Sequence, residues 1–295
     1  MAQSNFYIVD VFAQGKYSGN QLAVITNATS MSDSQMQALA QEMNYSETTF
    51  ILSEEINNGG YDVRIFTPKQ ELPFAGHPTL GTAYVLQELV LGSSEPSINL
   101  NLQVGQIPVI KKEEGVEGTF WWMRQNVPTF HQIFIKEDLA SILSLEIDAI
   151  DTRFPIQEVS TGVPFIIVPL KSQAALKQIK VNREKYFELV DNSLAKSIFV
   201  FCPETNNPEN DLSARCFADY LGIPEDPATG SANGCLAGYL AQYNYFNQQP
   251  IRVRVEQGYE INRPSLILLE ASKGKEIEVK VGGQVVLVAQ GQLVD

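Results

Sequence analysis

The sequence predicts two domains of similar topology, each combining short β-strands with helices and each holding one helix that is apolar on every side. Two observations lead there. A set of elements recurs in the same order in the two halves of the chain, and each half carries a glycine-opened run of small and apolar residues that suits a buried central helix. A length of 295 residues accommodates two domains of about 150 residues, each large enough to bury its own core.

The first matched element is a glycine turn feeding an apolar strand, Gly19-Asn20-Gln21-Leu22-Ala23-Val24-Ile25 and Gly162-Val163-Pro164-Phe165-Ile166-Ile167-Val168. Next comes a helix over 32–43 with Met36, Leu39, Ala40 and Met43 on one face. Its counterpart over 182–195 aligns Tyr186, Leu189, Val190 and Leu194 at the same spacings of about three and four residues. β-rich runs follow from Thr48 to Leu52 and from Ser197 to Phe201, then Arg64-Ile65-Phe66 and Arg215-Cys216-Phe217. Last, Glu71-Leu72-Pro73-Phe74-Ala75-Gly76-His77 aligns with Glu225-Asp226-Pro227-Ala228-Thr229-Gly230-Ser231, 154 residues later. The buried helices follow as Leu80 to Leu89 and Leu236 to Ala241, and β-like segments such as Phe120-Trp121-Trp122-Met123 and Val285-Val286-Leu287-Val288 close the halves. The N-terminal half is assigned to 1–127 and the C-terminal half to 128–295, joined near Asn126-Val127-Pro128, with the terminal strand free to cross between them.

Lys and Arg number 21 against 34 Asp and Glu, a formal charge of −13. Such a surface repels phosphate backbones and anionic lipid, so neither nucleic acid nor a membrane is expected as a partner. The start, MAQSNFYIVDVF, has no cationic segment ahead of a long apolar core, and no run approaches the roughly 18 apolar residues that span a bilayer. A cytoplasmic protein is expected. Cys202, Cys216 and Cys235 are dispersed, with no CxxC pair, and read as reduced core thiols. With two histidines in the chain, a His/Cys metal site has almost no ligands and none is expected, although carboxylates could still hold Mg²⁺. No nucleophile elbow, Walker loop or GxGxxG is present, so serine hydrolysis, phosphoryl transfer and hydride transfer lack their machinery.

A buried helix ringed by strands begins at the rim of its sheet, and the two helix starts are expected to face one another across a domain cleft. The first backbone N–H groups of a helix lack internal partners and carry partial positive charge, which suits an anionic ligand. Gly76 and Gly230 allow a ligand close to the backbone, and Pro78 fits a first helical turn. Duplicated halves are informative where they differ. His77 matches Ser231, Leu72 matches Asp226, and Tyr45-Ser46-Glu47 precedes a strand whose counterpart follows Leu194-Ala195-Lys196-Ser197.

The cleft is thus expected to gather Glu47 and His77 from one domain and Asp226 and Ser231 from the other. These groups suit removal of a proton from carbon and its return. A carboxylate of ordinary pKa about 4.3 is a weak base, but desolvation lifts it toward the roughly 6–7 that serves acid/base work at neutral pH. A histidine nearby can carry a second proton. Helix amides can stabilise enolate or carboxylate charge. Taken singly, each residue also has a structural explanation: Glu47 as a solvated strand start, His77 and Ser231 as helix caps, Asp226 as a turn residue. Their convergence on one cleft favours a catalytic set. His131, ahead of the apolar Ile133-Phe134-Ile135, is expected to be structural.

Val9-Asp10-Val11-Phe12, Gly19-Asn20-Gln21-Leu22-Ala23-Val24, Ser46-Glu47-Thr48-Thr49-Phe50, RIFTPKQELPFAGHPTLG at 64–81 and EDPATGSA at 225–232 together resemble the PhzF-like phenazine biosynthesis family. The motifs occur in the family's order over nearly the whole chain. The resemblance implies an α+β diaminopimelate epimerase-like fold. In that fold two pseudo-symmetric domains each wrap a strongly curved, mostly antiparallel sheet around a central helix, with the active site between them. It places Glu47 on the family's acid/base glutamate, His77 on its active-site histidine and Asp226 on the aspartate of its second domain. Gly76, Gly230 and Ser231 fall on pocket-lining positions, and Asn20 and Ser46, within the same motifs, join them as expected substrate-binding residues. The fold's namesake epimerases use a cysteine pair, and neither matching position here is cysteine. Gln21 stands where the family pattern usually has proline. The family's founding enzyme isomerises a dihydro-hydroxyanthranilate without a cofactor and as a homodimer.

The expectation is therefore a cofactor-independent isomerase or epimerase acting on a small carboxylated metabolite, with Glu47 removing the proton and His77 with Asp226 guiding its return. A non-catalytic small-anion-binding or regulatory protein that retains the cleft is the alternative from another class. A racemase-like enzyme with two bases is a third.

Overall fold

The computed structural model describes residues 4–294, and the chain divides into two compact units. The first runs to Met123 and contains β1 (Asn5–Val11), β2 (Asn20–Ile25), α1 (Asp33–Met43), β3 (Glu47–Ile51), β4 (Tyr61–Phe66), β5 (Glu71–Leu72), α2 (Gly76–Tyr84), β6 (Ser97–Leu102), β7 (Gly105–Glu113) and β8 (Thr119–Arg124), which ends at the boundary. The second runs from Arg124 to Val281. It begins with β9 (Thr129–Phe134), α3 (Lys136–Leu143), β10 (Ile156–Ser160), β11 (Pro164–Pro169), α4 (Gln173–Gln178), α5 (Arg183–Asp191) and β12 (Ile198–Cys202). It continues with β13 (Leu212–Ala218), β14 (Ile223–Asp226), α6 (Gly230–Gln242), β15 (Ile251–Gln257), β16 (Ser265–Lys273) and most of β17 (Ile277–Gly283). The last strand, β18 (Val285–Gln292), belongs to the first unit, where it pairs antiparallel with β1.

The two units repeat one pairing scheme. In the first, β1 lies antiparallel to both β18 and β2, β2 parallel to β3, β3 antiparallel to β4, β4 parallel to β6, and β6 antiparallel to β7. In the second, β10 lies antiparallel to both β9 and β11, β11 parallel to β12, β12 antiparallel to β13, β13 parallel to β15, and β15 antiparallel to β16. The short strands β5 and β14 hang antiparallel from β4 and β13. The architecture is α+β and pseudo-symmetric.

Each unit closes around one helix. All residues of α2 except Tyr84 are buried, and it packs against β1, β2, β3, β6, β7 and β18. Contact with strands spread across the whole sheet means that the sheet curls around the helix. Close approach explains the small residues: a Cβ on Gly81 would lie 2.6 Å from Leu22 and 2.8 Å from Val11. The helix continues as a π-helical segment, Val85–Val90. In the second unit all of α6 is buried except Ser231 and Gln242, and it packs against β10, β11 and β16. Neither α2 nor α6 contains a charged residue, as burial on all sides requires.

The outer helices are amphipathic. Ser32 and Gln35 form a reciprocal capping box at the start of α1, whose Met36 and Ala40 pack with Ile25, Phe50 and Phe66. Asn182 caps α5, and Tyr186 and Val190 are buried. Leu194 does not continue that face; it is 64% exposed. The Ser193 hydroxyl and the Asn192 amide donate to the carbonyls of Leu189 and Glu188, taking acceptors that a further helical turn would need. The helices α3 and α4 have no counterpart in the first unit and cover one face of the second with Leu139, Leu143 and Leu176. No helix among the described residues is long and apolar enough to cross a membrane.

One side-chain device recurs in both units and fixes the short strands. The Arg64 guanidinium donates Nε to Glu71 Oε1 and Nη2 to Oε2, each at 2.7 Å, joining β4 to β5. Arg215 does the same to Glu225 at 2.9 and 2.6 Å, joining β13 to β14. Each guanidinium also sits over an aromatic ring two residues on, 5.0 Å from the centre of Phe66 and 4.9 Å from that of Phe217. Two parallel charge-assisted bonds give orientation as well as energy, which a lysine could not supply. The Arg215 pair is the more buried, with both side chains at or below 10% exposure against about a quarter for the Arg64 pair. Replacing Arg215 with Met leaves the Glu225 carboxylate desolvated, and the expected loss is about 3–5 kcal/mol. Arg64→Met is expected to cost about 1–2 kcal/mol because its partner keeps access to water. Urea denaturation of the two variants beside the parent protein measures that order, and equal losses would refute it.

Candidate active site

In the first unit the candidate residues are placed by the parallel neighbours β2 and β3 and by the start of α2. Asn44, in the left-handed conformation at φ 53°, ends α1 and turns the chain into β3, whose first residue is Glu47. Ser46, just before it, donates its hydroxyl to Asn20 Oδ1 at 3.2 Å, tying the strand starts together. His77 is the second residue of α2. Its Nε2 lies 3.4 Å from Glu47 Oε2, with 7% and 14% of the two side chains exposed. The ring also donates a hydrogen bond to the backbone carbonyl of Gln21. That bond uses one ring N–H and leaves Nε2 as the nitrogen that meets Glu47. The hydroxyl of Thr82 donates to that of Thr49 at 2.8 Å, locking α2 onto β3 one turn deeper.

Burial governs the charge of the histidine. Desolvation pushes its pKa down from 6.5 to about 3, and the bond to Gln21 opposes this only in part. At neutral pH the imidazole is uncharged, so its contact with Glu47 is not an ion pair. A neutral ring that donates to Gln21 can only accept at Nε2. At 3.4 Å the two atoms are in contact without a hydrogen bond between them.

In the second unit the candidate residues lie where β14 runs into α6. Asp226 pairs with Cys216 across the β13–β14 ladder and is 8% exposed. Its Oδ2 accepts from the Thr229 hydroxyl at 2.5 Å. Gln257, at the end of β15, donates from Nε2 to the Asp226 carbonyl at 2.8 Å and to Thr229 Oγ1 at 3.0 Å. Its Oε1 accepts from the Thr229 backbone N–H at 3.1 Å and from Asn233 Nδ2 at 3.0 Å. Gly258 then turns the chain at φ +80°, and a Cβ there would stand 2.6 Å from the Pro227 carbonyl and 2.4 Å from that of Arg263. Only glycine fits a left-handed position pressed so closely against backbone. Gly230 and Ser231 open α6, with Gly230 buried and Ser231 partly exposed.

Asn20, Ser46, Glu47, Gly76 and His77 thus come together in the first unit, and Asp226, Gly230 and Ser231 in the second. Sequence reasoning missed the Gln21 carbonyl, Thr229, Asn233 and Gln257. Thr229 matches Ala75 in the duplication, so the comparison of halves that singled out Asp226 contained a signal for it. Gln257 carried none, because its link to Asp226 spans 31 residues of sequence.

The three cysteines are free and buried. Burial raises the pKa of all three, that of Cys202 to about 11 and that of Cys235 to about 12. Thiols held protonated in this way are poor nucleophiles and poor bases at neutral pH. Among the described residues no group of three or more His, Cys, Asp or Glu side chains is arranged to hold a metal ion.

Residues 9–291 match the family model described as phenazine biosynthesis-like protein. The chain is 32% identical over 291 residues to the trans-2,3-dihydro-3-hydroxyanthranilate isomerase of Pseudomonas aeruginosa, covering 97% of this chain and 98% of that one. It is 32% identical to an uncharacterized isomerase of Clostridium acetobutylicum, with 98% of each covered. The crystal structure of a PhzF-family phenazine biosynthesis protein from Bacillus anthracis superposes with a TM-score of 0.91 at 29% identity over the whole of both chains. A probable proline racemase from Agrobacterium radiobacter shares the fold, with a TM-score of 0.63 at 10% identity over 99% of this chain and 93% of that one. With a family model matched over nearly its full length and relatives at 32% identity covered end to end, the chain belongs to the PhzF-like phenazine biosynthesis family and is an isomerase.

Proposed function

We propose that the protein moves a proton between two carbons of a small carboxylated molecule by acid/base chemistry of its own side chains. Glu47 takes the proton from carbon, and His77 with Asp226 guides its return. The observation that carries this reading is the contact of Glu47 Oε2 with the Nε2 of a buried, neutral His77. Such an imidazole presents a lone pair to the carboxyl group without fixing it in a salt bridge, so a proton gained by Glu47 remains available for transfer. Gly76, Gly230 and Ser231 are assigned to substrate binding, with Asn20 and Ser46 as further polar contacts. A side-chain cap is missing from both helix starts, which supports that assignment. No cofactor is needed for a step in which one C–H bond breaks and another forms. The three free, buried thiols suit a reducing, cytoplasmic setting. A homodimer is the proposed assembly, to be checked by sedimentation.

The reaction is tested by solvent deuterium exchange. The panel comprises trans-2,3-dihydro-3-hydroxyanthranilate, the molecule named for the Pseudomonas aeruginosa relative, and cyclic and linear 2-amino and 2-hydroxy carboxylates. The parent protein is expected to place deuterium on carbon in at least one of them. Glu47→Gln should slow that incorporation by at least about 100-fold while calorimetric binding of the same compound persists. Exchange at the parent rate in Glu47→Gln removes the assigned base, and silence across the panel removes the reaction.

The charge state of His77 has its own consequence for stability. Its folded pKa of about 3 lies below the unfolded value of 6.5, so between these values the unfolded chain binds the extra proton. The contribution is fully present above pH 6.5 and is lost as pH falls toward 3. The slope approaches about 1.4 kcal/mol per pH unit for one proton. The His77 Cε1–H resonance, identified by its absence from His77→Gln, should keep its neutral position at pH 5. Movement to the imidazolium position by that pH would contradict the assignment.

A further inference from the structure

We infer that Thr229 and Gln257 are positioning residues for Asp226: the Thr229 hydroxyl is held with its hydrogen on Asp226 Oδ2, which confines any exchangeable proton of that carboxyl group to Oδ1. The inference rests on the proposed role of Asp226 in proton transfer, but the hydroxyl orientation itself follows from an inventory of donors and acceptors.

The inventory starts from backbone, where donor and acceptor are not in question. The Thr229 N–H can only donate, and it meets Gln257 Oε1 at 3.1 Å. The Thr229 carbonyl can only accept, and it meets Asn233 Nδ2 at 3.1 Å. That second contact fixes Nδ2 of Asn233 as a donor, which also points at Gln257 Oε1, 3.0 Å away. Turning the Gln257 amide over would set its NH₂ against two donors, so its orientation is dictated. Its Nε2 must therefore face the Asp226 carbonyl and Thr229 Oγ1, donating to both.

A hydroxyl has one hydrogen to give and two lone pairs to fill. Gln257 Nε2 fills one lone pair of Thr229 Oγ1. The Cys216 sulfur, held protonated by burial, offers the hydroxyl hydrogen only a weak acceptor. The remaining contact of Oγ1 is Asp226 Oδ2 at 2.5 Å, and the hydroxyl hydrogen goes there. Oδ2 is thereby an acceptor, and protonation of Asp226 has to occur at its other oxygen. The first half carries no such device: Leu72 and Ala75 occupy the positions of Asp226 and Thr229. Hydroxyl and carboxyl are present together or absent together, as expected if one serves the other.

Neutron diffraction from crystals of the perdeuterated full chain tests the orientation directly. The expected map shows a deuteron on Thr229 Oγ1 directed at Asp226 Oδ2 and none on Oδ2. A deuteron bound to Oδ2, or a Thr229 deuteron directed at any other atom, overturns the inference. A second measurement uses ¹³Cγ-labelled aspartate, with the Asp226 signal identified by its absence from Asp226→Asn. Thr229→Val is expected to move the titration midpoint of that signal up by about one to two pH units, since a donor to the charged form is lost. Thr229→Ser should restore the parent midpoint, a rescue that a packing role for the methyl group would not give. An unchanged midpoint in folded Thr229→Val counts against the proposal. Neither measurement needs a substrate, so they are independent of the catalytic reading. If Asp226→Asn leaves deuterium exchange intact while the neutron map shows the expected deuteron, the catalytic role of Asp226 fails and the hydroxyl assignment stands.

Discussion

The bidentate pairing of an arginine with a glutamate across the short strands is the constraint on which the candidate residues of each unit depend. In each unit the glutamate is followed within a few residues by the glycine that opens the central helix. The fork between Arg64 and Glu71 therefore sets where His77 begins its helix, and the fork between Arg215 and Glu225 sets where Asp226 leaves its strand. The loops that follow are three residues long, Pro73-Phe74-Ala75 and Pro227-Ala228-Thr229. Two parallel N–H···O bonds fix direction as well as distance, which a site working at hydrogen-bond range requires of its support. The third arm of each guanidinium reaches a different element, Asp33 at the start of α1 in one unit and the Leu176 carbonyl on α4 in the other. The fork is thus common to the two units, and its further anchorage differs.

On this common support the two units handle polarity in opposite ways. In the first unit burial strips the charge from His77, and the ring is oriented by a single backbone carbonyl. In the second, the Asp226 carboxyl group accepts from the Thr229 hydroxyl, which Gln257 and Asn233 hold in place. Burial without a charged partner and a hydrogen bond to a carboxyl oxygen are two different ways of setting the state of a titratable group.

Much of this was legible in the sequence because the repeat leaves a pattern in kind as well as in order. Arg64-Ile65-Phe66 and Arg215-Cys216-Phe217 stand out at matched positions, and the uncharged helices α2 and α6 announce burial by composition alone. Ser32 and Asn182 mark helix starts by their capping chemistry. Leu194 was misleading because hydrophobic spacing says nothing about where carbonyls are captured, and Ser193 and Asn192 end α5 before it is reached. The helices α3 and α4 were not foreseen, since a search for repeats discards what only one half contains. Gln257 lay beyond reach for another reason: a glutamine in a strand reads as solvated unless its distant partners are known.

The capping positions of the central helices connect stability to function. Ala75 has no side chain able to cap α2, and Thr229, a good capping residue by type, does not cap α6. Its hydroxyl is turned to Asp226 instead. A missing cap costs about 1 kcal/mol, and the two most buried helices of the protein both carry that cost. The outer helices α1 and α5, by contrast, are capped by Ser32 and Asn182. Local rules are therefore obeyed at the periphery and set aside at the two places where the proposed chemistry needs exposed helix amides and an oriented carboxyl group, which is where a departure from them is expected to be functional.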